Sequence, residues 1–151
     1  MITALIGTVV ALFGYIAIHR LAFWRERHAR RVTACIAFRS AVLAELGSIY
    51  PNATAWPDNI DAFLRDRSTA LQTAVENFSP FVPWWQKWFF NRAWRLYIKG
   101  KCGVRGQHQN YWQYVPHGST DEKGHPHDNH LTYKQDFKRN VGRLLSYAKE
   151  T

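Results

Sequence analysis

Residues Ile2 to Ile18 read ITALIGTVVALFGYIAI, an apolar run with no charged side chain. His19-Arg20 and a short apolar Leu21-Ala22-Phe23-Trp24 follow it, and then come Arg25, Arg27, Arg30 and Arg31. About 20 apolar residues in a helix, rising roughly 1.5 Å each, match the hydrocarbon core of a bilayer. The run predicts a transmembrane anchor over residues 1–24, a basic juxtamembrane helix over 25–46 and a cytoplasmic helical domain over 47–151. The competing reading, a buried amphipathic helix of a globular protein, needs fewer consecutive uncharged residues than this stretch supplies.

A cleaved signal peptide carries positive charge before its apolar run and a small-residue cleavage site after it. Here no basic side chain precedes Ile2, arginines follow the run, and no A-x-A pattern closes it, which is the pattern of an uncleaved anchor. Arginines flanking a span stay on the cytoplasmic side, so the expected orientation places the amino terminus outside and residues 25–151 inside. Phe23 and Trp24 then fall at headgroup level, where amphipathic rings concentrate.

Ala4, Gly7, Ala11 and Gly14 recur at helical spacing and share one face of the expected span. Such a stripe lets a second helix approach closely, in the same chain type or another, although small residues are also common in spans generally. Thr3, Thr8 and Tyr15 are the only hydroxyls, and no charged side chain lies between Ile2 and Ile18. A one-helix pump or channel is disfavoured on that ground.

Hydrophobic residues make up 46% of the 151-residue chain and aromatics 15%, enough for the portion beyond the span to bury a core. The net charge of +9 is unevenly spread. Residues 80–116 hold six Lys/Arg and no acid, whereas residues 47–79 hold two against four. A basic surface seeks anionic partners: phospholipid headgroups, nucleic acid or acidic proteins. Cys35 and Cys102 stand at no ligand-like spacing and are expected as two reduced thiols.

Beyond the arginines, Val32, Cys35, Ile36, Val42, Leu43 and Leu46 follow a three-four pattern closed by Gly47, with nothing to break helix after Arg20. A loop with Pro51 and Pro57 leads to a second helix, capped by Asp58 or Asn59 and presenting Ile60, Phe63, Leu64, Leu71, Val75 and Phe78. Pro83 and Gly100 bracket a third helix, Trp84 to Lys99. A last helix carries Tyr133, Phe137, Val141, Leu144, Leu145 and Ala148, with Thr132 and Gln135 as a capping-box pair. Between the third and last helices lies an irregular stretch of about 30 residues, in which Tyr111 to Val115 alternates like a short strand. The expected fold class is all-α: one transmembrane helix followed by a small cytoplasmic helical bundle with an irregular loop.

The third helix, WWQKWFFNRAWRLYIK, is the most unusual segment. Trp85, Phe89, Phe90, Ala93, Trp94, Leu96 and Tyr97 cover about half its circumference, while Trp84, Trp88, Arg92, Arg95 and Lys99 gather on an adjoining stripe. One reading is a core helix whose arginines reach out past the apolar face. A second is a helix on the anionic inner leaflet, Trp at headgroup depth and cations on phosphates. A third is a platform for single-stranded nucleic acid, which no RNP, KH, zinc-finger or helix-turn-helix signature supports.

The loop GSTDEKGHPHDNH offers His125, His127 and His130, beside His117 and the carboxylates Asp121, Glu122 and Asp128, as candidate metal ligands. Its H-x-H and H-x-x-H spacings match no zinc-site pattern, and a solvated polar loop is the plainer expectation. No G-x-S-x-G, phosphate-binding glycine loop, H-E-x-x-H or C-x-x-C occurs. No cofactor is implied. Glu45, Glu76, Asp61 and Asp66 read as solvated charges near basic neighbours.

Phe38 to Pro51 (FRSAVLAELGSIYP) with Trp56-Pro57, Ala74 to Trp85 (AVENFSPFVPWW) and Phe137 to Ala148 (FKRNVGRLLSYA) resemble a family of bacterial proteins with one N-terminal span and no assigned activity. The resemblance implies a bacterial inner-membrane location and carries over no functional residue. The expected function is a single-pass interaction protein, an accessory or structural subunit that binds a membrane protein partner or self-associates. The alternatives are a membrane-tethered metal-dependent enzyme using the His-rich loop and a tethered nucleic-acid binder.

Overall fold

A computed structural model of the chain describes residues 2–52, 56–100, 110–115, 119–120, 126–127 and 130–149. Two compact units emerge, Met1–Ala34 and Cys35–Thr151. Apart from one antiparallel pairing of two-residue strands, β1 (Ser119–Thr120) with β2 (Pro126–His127), the described elements are helical.

Helix α1, Ile2–Leu46, runs without interruption. In the first unit its exposed surface holds Trp24 stacked on His28 with ring centres 6.4 Å apart. Arg27 lies 4.6 Å above the Phe23 ring, and Arg30 pairs with Glu26 one turn away. Among the described residues no helix is long and apolar enough to cross a membrane. The side chains of residues 2–13, most of the apolar run, lie outside the described set, so the expected span gains no support from the structure.

In the second unit, the end of α1 buries Cys35, Phe38, Val42 and Leu46. That stripe replaces part of the expected one: Phe38 is core, whereas Ile36 and Leu43 are exposed. The offset is small in angle, and only packing decides which edge of an apolar band faces inward. Gly47 follows the last helical residue, in a turn where a Cβ would lie 2.6 Å from the Leu43 carbonyl oxygen, so the close approach requires glycine.

The expected second helix is two, α2 (Ile60–Asp66) and α3 (Ser68–Phe78). Asn59 caps α2, its side chain accepting from the Ala62 amide. At the break the Arg65 carbonyl accepts both the Arg67 amide and, at 2.6 Å, the Ser68 hydroxyl. Leu64 and Leu71 are both buried; their seven-residue spacing keeps helical phase across the break, which hides it from periodicity.

Helix α4 spans Trp84–Lys99, with the bounds that Pro83 and Gly100 predict. Gly100 takes φ +71 and its amide donates to the Leu96 carbonyl. Helix α5 spans His130–Leu145 and packs on α4. It begins ahead of Thr132, so the expected capping-box position falls inside the first turn. Its inward face is the predicted one: Tyr133, Phe137, Val141, Leu144 and Leu145, with Ala148 in the 3-10 turn beyond, are buried.

The core has two aromatic centres. Phe38 stacks on Phe78 at 4.6 Å, and Phe90 meets both edge-on, with Tyr147 closing the group at 5.5 Å. Tyr97, Tyr111, Tyr114 and Phe137 form the second, with Trp56 against Phe137 and Tyr133.

Residues 110–115 make no strand. They form a turn with a 3-10 segment, Trp112–Tyr114, that caps the C-terminus of α4, whose last carbonyls have no partner within the helix. Gln113 Nε2 donates to the Leu96 and Tyr97 carbonyls, the Tyr111 amide to Ile98, and the Tyr114 hydroxyl to Tyr97. Asn140 of α5, the one buried polar side chain among the described core residues, donates to the Tyr114 hydroxyl at 3.0 Å. These bonds hold Tyr111 at φ +65, a conformation costly for a residue with a side chain.

Burial raises these phenols: Tyr111 and Tyr114 are pushed up to about 12, and Tyr97 well above its usual value. The folded state therefore holds its phenolic protons more tightly than the unfolded chain, whose tyrosines titrate near 10. Their contribution is complete below pH ~10 and is lost as pH rises from there through the raised folded-state values. The tyrosinate absorbance of these three residues should consequently appear in one cooperative step with loss of helical ellipticity. A complete tyrosinate rise at pH 10 with the helix signal intact would contradict the burial.

Candidate functional site

Helix α4 buries only Phe90, Ala93 and Tyr97. At about 100° per residue, Trp84, Trp85, Trp88, Phe89, Arg92, Arg95 and Lys99 fall within roughly 140° of arc on the other side. All seven are exposed, the four rings by 55–82%. The expectation of a broad buried face thus fails at Trp85 and Phe89, which join Trp84 and Trp88 outside. Trp94 is half-buried, stacked on Tyr97 at 5.5 Å.

The face is graded along its axis. Its first two turns carry the rings, Trp84 against Trp85 and Trp88 against Phe89, each pair edge-to-face with centres 5.9 and 4.9 Å apart. Its last two turns carry the cations, with the Arg92 guanidinium 5.4 Å over the Trp88 ring. Among the described residues none of Lys87, Arg92, Arg95 and Lys99 enters an ion pair. Burying a ring of this size is worth roughly 1.5–3 kcal/mol, so the patch leaves several kcal/mol unused in the isolated chain. Exposed apolar patches of this kind mark protein or membrane contacts.

The remaining candidates do not assemble into a site. Arg25, Arg27, Arg30 and Arg31 lie on α1 in the first unit, the first three exposed and Arg31 half-buried. Gly14 has open space around it; the side chains of Ala4, Gly7 and Ala11 lie outside the described residues. So do His125 entirely and the side chains of His127 in β2 and His130 in α5. Among the described residues no three His, Cys, Asp or Glu stand together as metal ligands. The helical carboxylates take local partners: Asp61 pairs with Arg65 at 3.0 Å, Glu45 faces Arg67 at 3.9 Å, and Glu76 accepts from Gln72. Among the described residues the clearly displaced titrations belong to Tyr97, Tyr111, Tyr114 and Tyr133, all raised foremost by desolvation, which reflects packing.

Comparison with family models, curated proteins and solved structures finds no match to this chain.

Because both rings lie outside the described core, Trp84→Ala and Trp88→Ala should each change the unfolding free energy by no more than about 0.5 kcal/mol. Chemical denaturation of the two variants checks this. A loss of 2 kcal/mol or more (roughly the range of core truncation) would show that the face is covered within the chain.

Proposed function

We propose that this chain is a single-pass membrane interaction protein of the bacterial inner membrane. In this reading it is an accessory or structural subunit that acts by docking and not by catalysis. The apolar run with its arginine collar anchors it, amino terminus outside, and the helical domain works at the cytoplasmic face. The observation that carries the docking reading is the solvent-facing set of four rings on α4, beside cations that enter no ion pair among the described residues. The resemblance of three sequence stretches to single-span bacterial proteins belongs to the same proposal.

Crosslinking the full-length chain in native membranes, followed by mass analysis, tests the function. The expected product is a defined adduct with another membrane protein or with a second copy. A chain that remains monomeric and unattached in its membrane would contradict it.

A further inference from the structure

We infer that the exposed face of α4 is a second membrane contact, its rings seated in the interfacial layer of an anionic leaflet and its cations on lipid phosphates. The inference rests on the reading of the chain as membrane-anchored and names the occupant of that same face.

The choice of lipid over protein follows from what the face contains. Three of its four rings are tryptophans, whose apolar body and single N–H donor suit the boundary between headgroup and acyl chain. Arg92 and Arg95 follow on the same side, and residues 80–116 contain six basic residues and no acid. Protein interfaces are instead depleted of charge at the core and ringed by groups of mixed sign and polarity. A surface with rings at one end and only cations at the other complements a layer that is apolar below and uniformly anionic above. Being joined to an anchored segment, the domain meets that layer without a separate encounter from bulk solution.

The test uses the full-length chain in two kinds of vesicle, phosphatidylcholine alone and phosphatidylcholine with about one-third phosphatidylglycerol. Hydroxyl-radical footprinting read by mass spectrometry reports Trp84, Trp85 and Trp88 separately, with Trp94 as an internal control. In the anionic vesicles oxidation of the three exposed tryptophans should fall about fivefold or more, Trp94 should change little, and high salt should restore reactivity. Arg92→Glu with Arg95→Glu should abolish the protection while leaving the thermal melting curve in place, both residues being exposed.

Equal oxidation in the two vesicle types overturns the inference. So does protection that appears in lipid-free detergent and grows with protein concentration, which would make a second copy the occupant. Alkaline carbonate extraction of the same vesicles separates the two failures. If the chain is washed out, the anchor reading falls; if it stays but its footprint ignores phosphatidylglycerol, the lipid contact alone falls.

Discussion

Phe90→Ala should lower the unfolding free energy of the helical domain by about 3–5 kcal/mol, the cost of truncating a core phenylalanine that leaves a cavity. Phe90 is fully buried and touches Phe38 from α1, Phe78 from α3 and Tyr147 beyond α5, so its ring joins segments far apart in sequence. Phe38 and Phe78 are already stacked on each other, which limits how far either can move to close the hole. Its neighbour Phe89 faces solvent, and Phe89→Ala should cost about 0.5 kcal/mol or less. The pair therefore tests the orientation of α4 directly. Denaturation of the two variants decides it: equal losses would mean that the helix is rotated from the position described.

A second large effect is expected at the middle of the apolar run. Val10→Arg places a guanidinium near the midpoint of Ile2–Ile18, where insertion is disfavoured by about 2.5–3.5 kcal/mol. Synthesis of the chain in the presence of vesicles, followed by flotation, should show most of the variant left unfloated while the parent floats. Retention of the variant at the parental level would mean that this segment does not enter hydrocarbon.

Where local chemistry alone decides an element, the sequence was legible. Pro83 and Gly100 bound α4 because one fits a first helical turn and the other takes φ +71. The α5 face was equally plain, since its apolar residues repeat over four turns with no competing stripe. The division between α2 and α3 was not, because it leaves the seven-residue spacing of the buried Leu64 and Leu71 undisturbed. Nor was the cap on α4: Gln113, Tyr114 and Asn140 act through contacts spanning 16 to 26 residues, which periodicity cannot detect.

The candidate site was half legible. Its residues stood out by composition, but α4 is apolar over more of its circumference than the bundle can cover. Which part stays exposed is fixed by where α5, Phe38 and Phe78 lie against Phe90 and Tyr97. Apolar periodicity puts Phe89 and Phe90 together, whereas packing puts one in the core and the other in solvent.

Alkaline carbonate washing of membranes that hold the full-length chain tests the anchor, on which the functional account depends. The account predicts that the chain stays with the lipid pellet. Recovery of the intact polypeptide in the supernatant would contradict it.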